Sequence, residues 1–224
     1  MRFLIGPPPD DTDFAPEQEG WRKVREPSPL VLVLVGAVVG VPIAAAATYV
    51  WSAIIGFEPS VQLSISGDDQ YGMVKIWLFL LVPFAFLAGL IVAHELIHAL
   101  ACPRFGFTRA TVIGVWPSRI MPYACHLGAL SHRRGILIAS APFLVLTVSP
   151  MLAELVGRWQ SSFLAWVSIV NALVSGGDAL IIVMLLVQIP LSASMRNKGW
   201  HTWWRPAEPG AAPDPARDIG SGNS

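Results

Sequence analysis

Four long apolar runs leave this chain few folds to choose from. Leu30 to Phe57 carries no charged residue ("LVLVLVGAVVGVPIAAAATYVWSAIIGF"), and Met73 to Cys102 is apolar over most of its length. Gly135 to Val156 and Phe163 to Ile189 repeat the pattern. Each is long enough to cross about 30 Å of hydrocarbon at about 1.5 Å per helical residue. With 54% hydrophobic against 13% charged residues, the chain is too apolar for an ordinary soluble domain. The expectation is an all-α integral membrane protein with four transmembrane helices, over about 30–57, 73–102, 135–156 and 163–189. The first run follows a polar, proline-rich stretch, so it reads as an anchor rather than a cleaved leader.

Basic residues set the expected orientation. Arg2, Arg22, Lys23 and Arg25 precede the first run, and Arg104, Arg109, Arg119, Arg133 and Arg134 separate the second from the third. Arg196, Lys198, Arg205 and Arg217 follow the fourth, whereas the other two connections carry only Lys75 and Arg158. The positive-inside rule then places both termini and the central loop in the cytoplasm. The chain divides into an N-terminal segment 1–28, with little order expected before Trp21, and a membrane domain 29–190. A tail 191–224 follows, expected to be disordered from about Pro206.

Within the central loop, "ATVIGVWP" favours a strand and "SRIMPYACHLG" a return strand, so a small β-hairpin stands beside an irregular re-entrant loop. "GWHTWW" in the tail suits an interfacial or strand segment. Fifteen basic and 15 acidic side chains balance, which gives no basic surface for nucleic acid. Cys102 and Cys125 would lie near the cytoplasmic face and stay reduced, as small packed residues.

"AHELIHAL", Ala93 to Leu100, interrupts the second run with His94, Glu95 and His98. Ionisable groups are expensive inside a bilayer and usually mark function. Histidines four apart differ by about 40° in heading on an α-helix, so both imidazoles leave one face. Glu95 lies about 100° from His94, within reach of a water held between a metal and the helix. Neutral imidazole is a good zinc ligand, and a neighbouring carboxylate can take the proton that zinc makes acidic. A Zn2+ site in this helix supplies its own reason for the buried charge.

A catalytic zinc usually takes three protein ligands. In the fourth run the only charged residue is Asp178, in "NALVSGGDAL". Asn171, Ser175 and Asp178 at i, i+4 and i+7 share one face, as substrate-binding or ligand-supporting residues and a third ligand. Counted from the cytoplasmic ends, His98, His94 and Asp178 lie about 6, 12 and 18 Å deep, a mismatch of about one turn that tilt or unwinding at Gly176-Gly177 would absorb. His126, beside Cys125, is the main rival; His132 and His201 are others, and all three read as solvated or interfacial.

Taken together, "GWRKVREP", "AHELIHAL", "APFLVLTVSP" and "NALVSGGD" resemble the putative zincin peptidase family of prokaryotic membrane proteins, and through it the site-2 protease type. The resemblance implies a zinc-dependent endopeptidase in a cell membrane. His94, His98 and Asp178 would be its ligands and Glu95 its general base, with membrane-associated protein or peptide substrates. Such a substrate would dock as an added strand on the hairpin, with Asn171 orienting it or its oxyanion. The competing reading is a non-catalytic membrane protein whose structural metal joins the second and fourth helices, completed by His126 or Cys125. A metal carrier is weaker, because the outer half of the spans has too few polar residues for a path.

Overall fold

The computed structural model describes residues 1–60 and 72–206. Helices follow the apolar runs: α1 (Pro29–Ile55), α2 (Gly72–Ala101), α3 (His132–Pro142), α4 (Ser149–Gly157), α5 (Ser162–Val174) and α6 (Gly176–Gln188). A π-helical stretch, Phe143–Val148, makes α3 and α4 one continuous apolar helix over His132–Gly157. Three helices are long and apolar enough to cross a membrane. There are four if α5 and α6, bent by 46° about Ser175, count as one span.

The outer surfaces of these helices are apolar. Val38, Phe84, Val92 and Val187 are each about two-thirds exposed or more. In water such a surface is rare and costly.

Small residues set the helix packing where α1 crosses α5 and α6. A Cβ added to Gly40 would strike the Leu173 carbonyl, and one added to Gly176 would strike the backbone of Gly36 and Gly40. Below this crossing, Trp51, Ala47, Ala165, Ile169 and Ala172 form a buried apolar cluster. Glu154 is buried at the α4–α5 connection, where its carboxylate accepts from the backbone N–H of Gln160 (2.6 Å) and Ser161 (3.3 Å).

The chain is not all-α: seven strands form two sheets. In the first, β1 (Arg2–Ile5) runs parallel to β3 (Thr111–Trp116), which pairs antiparallel with β4 (Met121–His126). The expected hairpin of the central loop is therefore present. The N-terminal segment, expected to lack order, instead covers the open edge of β3. Its ammonium group donates to the Thr108 carbonyl at 2.6 Å. Unpaired strand N–H and C=O groups need partners, and β1 supplies them.

The second sheet has the order β2 (Arg22–Lys23), β7 (His201–Arg205), β6 (Ser194–Lys198), β5 (Leu130–Ser131). "GWHTWW" thus supplies the turn and most of β7. Arg22 lies over the Trp204 ring (5.3 Å) and Arg205 over Trp21 (4.7 Å). Phe14 is wholly buried, edge-on to Trp21 at 5.2 Å and beneath the Arg196 guanidinium at 4.4 Å. The disorder expected of the tail falls on residues 207–224, outside the described ones.

Candidate metal centre

α2 carries His94 and His98 on one face, as their spacing requires. The rings lie 4.8 Å apart at 79°, and both residues are buried. Opposite them, Asp178 occupies the first turn of α6, where the helix N-terminus favours a negative charge. Its Oδ2 is 3.0 Å from His94 Nε2 and its Oδ1 is 3.1 Å from His98 Nε2. The bend at Ser175 accompanies this meeting: a break in the span removes the one-turn mismatch that straight helices would leave.

The other nitrogen of each ring is committed. His98 Nδ1 is 2.8 Å from the Ile138 carbonyl oxygen, which can only accept, so this nitrogen carries the proton. His94 Nδ1 is 2.9 Å from Asn171 Oδ1. The amide orientation is fixed by Asn171 Nδ2, which donates to the Pro142 carbonyl (3.1 Å) and to Thr147 Oγ1 (2.9 Å), and approaches Ser175 Oγ at 3.4 Å. His94 Nδ1 is therefore also the protonated nitrogen. Asn171 is fully buried with its amide spent on protein groups, so it orients His94 rather than facing a substrate. Ser175, buried beside it, is the pivot between α5 and α6.

Both Nε2 atoms of the neutral rings consequently present lone pairs to carboxylate oxygens that also hold only lone pairs. Asp178 Oδ2 is buried without a hydrogen bond, although it is 3.0 Å from His94. Two acceptors this close need a cation between them. The three ligand atoms lie within 4.8 Å of one another, and two imidazoles with a carboxylate suit Zn2+. The residues fit the metal.

Glu95, the next residue on α2, is half-buried and within electrostatic reach of His94, His98 and Asp178. Among the described residues the cluster has three members, and the rivals lie elsewhere. His126, expected to be solvated, is buried on β4 with Nδ1 3.1 Å from Thr111 Oγ1. Burial, with the Arg134 charge beside it, depresses its pKa to about 4. His132, also expected to be solvated, is wholly buried at the start of α3, its Nε2 3.2 Å from the Leu185 carbonyl. His201 faces Glu26 at 3.3 Å on the second sheet. Cys102 is buried, Cys125 half-buried, and both are free.

Sequence reasoning missed Thr147. Its hydroxyl donates to the Ser168 carbonyl (3.2 Å) while the Ser168 hydroxyl donates back to the Thr147 carbonyl (3.0 Å). That reciprocal clasp ties the π-helical stretch to α5 just below Asn171.

A bundle of long apolar helices enclosing two imidazoles and a carboxylate, with a glutamate next to the first imidazole, defines a helical protein built to hold a metal ion. Residues 87–194, which contain all of these groups, match the family model described as "Putative zincin peptidase", and over that stretch the chain belongs to that family. Comparison with curated proteins and with solved structures gave no match. The family is one of zinc metallopeptidases by its description.

Proposed function

We propose that this protein is a membrane-embedded zinc endopeptidase that hydrolyses peptide bonds of membrane-associated protein substrates. The observation that carries this reading is the convergence of two proton-free Nε2 atoms on the two oxygens of Asp178, with Glu95 beside them. His94, His98 and Asp178 would hold the ion. Zinc, when bound, supplies a Lewis acid that polarises a carbonyl and makes a water acidic near neutral pH.

The remaining chemistry belongs to the chain. Glu95 accepts a proton from the attacking water at its carboxylate and delivers it to the departing amine nitrogen. Asn171 and the Ile138 carbonyl keep the two rings in the Nδ1–H form, so that Nε2 stays unprotonated. The apolar walls of α2 and α5 keep bulk water away and strengthen each of these interactions.

The apolar helix exteriors support a bilayer around the bundle, and the arginine-rich loops support a cell membrane with the site opening to the cytoplasm. The edges of the first sheet, β1 and β4, offer a substrate strand main-chain hydrogen bonds. A site of three protein ligands with a carboxylate at hand favours catalysis over a structural metal, which would need a fourth protein ligand.

The test is Glu95→Gln in purified protein reconstituted in bilayers. Bound zinc should stay at the wild-type ratio by elemental analysis, while cleavage of a membrane-anchored reporter falls by about 100-fold or more. Wild-type turnover in that variant would refute the mechanism.

A further inference from the structure

Pro142 stands inside an apolar helix where its ring seems to do no more than bend the chain. Its chemistry is more specific. Proline has no N–H, so the helical hydrogen bond that residue 142 would donate to the carbonyl of residue 138 cannot form. That carbonyl, on Ile138, is the one His98 Nδ1 meets at 2.8 Å. Pro42 and Pro150 likewise lie in or open helices, but among the described residues no side-chain hydrogen bond reaches the carbonyls they release, on Val38 and Leu146. The Pro142 carbonyl oxygen, at the start of the π-helical stretch, in turn accepts from Asn171 Nδ2 at 3.1 Å. One residue therefore touches the supports of both histidines: it frees the acceptor for His98 and anchors the amide that orients His94.

We infer that Pro142 is a positioning residue for the candidate metal centre, acting by withholding a backbone N–H. An ordinary residue at 142 would supply a competing donor to the Ile138 oxygen. His98 would then lose the partner that fixes its proton on Nδ1, and its Nε2 would be protonated part of the time and unable to ligate. The inference rests on the zinc reading only for its consequence; the tautomer it predicts exists with or without metal.

The experiment compares three variants of the full chain in detergent or bilayers. Pro142→Ala restores the N–H. Lactic acid in place of Pro142 removes the ring but, as an ester, still has no N–H. Pro150→Ala restores an N–H in the same helix away from the site. Nitrogen-15 NMR of metal-free protein, with His98 assigned through His98→Gln, reads the tautomer, and chelator competition reads zinc affinity.

The wild type, the ester variant and Pro150→Ala should each show a fixed Nδ1–H form at His98. Pro142→Ala should show mixed tautomers and zinc binding about 10–100-fold weaker. An unchanged His98 signal in Pro142→Ala would overturn the inference. So would equal losses in the ester variant, which would trace the effect to the ring. If Pro142→Ala fails to fold, the ester variant decides: a free N–H is harmful only if the ester keeps the wild-type tautomer. Absence of zinc binding in the wild type would sink the metal reading, while the tautomer data would still judge Pro142.

Discussion

Asn171 shows how far one side chain can govern a centre it does not enter. All its polar atoms are engaged, by His94, Pro142, Thr147 and Ser175. Replacement by leucine would leave a histidine N–H and a carbonyl without partners in an apolar interior, at about 1–3 kcal/mol for an unsatisfied group. Asn171→Leu should unfold at lower temperature in detergent and bind zinc about 10–100-fold more weakly in chelator competition, whereas loss of a mere substrate contact would spare metal binding. His94, His98 and Asp178 were legible as chemistry because charge in a membrane helix demands a partner. The task of Asn171 was not legible. Its share of a helix face pointed to the site, but its amide is fixed by groups on a helix far away in the chain, which spacing cannot reveal.

Among the elements, the helices were readable from hydrophobic runs, and the β3–β4 hairpin from its β-branched and aromatic content. β1, β2 and β5 were not. They are two to four residues long, too short for an alternating pattern, and β1 and β2 find their partners only after a full membrane helix has intervened. The break between α5 and α6 was suggested by Gly176-Gly177, yet it is centred on Ser175, and it is Gly176 that presses against α1. The close crossing at Gly40 predicts a sharp contrast between two substitutions. Gly40→Ala should lower thermal stability by several degrees and weaken zinc binding, because α1 would push α5 and α6 away from α2. Gly89→Ala, on a surface where an added Cβ meets nothing within 4 Å, should be neutral or slightly stabilising. Scanning fluorimetry of the two variants side by side would reveal it.

At the scale of the molecule, the sheets gather both ends of the described chain on one side of the helices, since β2 pairs with β7 and β1 with the hairpin of the central loop. The proposed topology then makes a simple prediction in intact cells, in a background with Cys102 and Cys125 replaced by alanine. A membrane-impermeant maleimide should label Ser162→Cys, in the α4–α5 connection, and spare Ser118→Cys, in the β3–β4 connection; the reverse pattern would invert the orientation.

The bend that brings Asp178 to the histidines also has a bearing on biosynthesis. His94 and His98 leave the ribosome 80 residues ahead of Asp178. During that interval the nascent chain holds two ligands and a base but no third ligand, so the centre cannot close until the fourth apolar segment has entered and kinked. A hydrolase assembled in this order is inert for most of its own synthesis, which protects the chain and the insertion machinery around it.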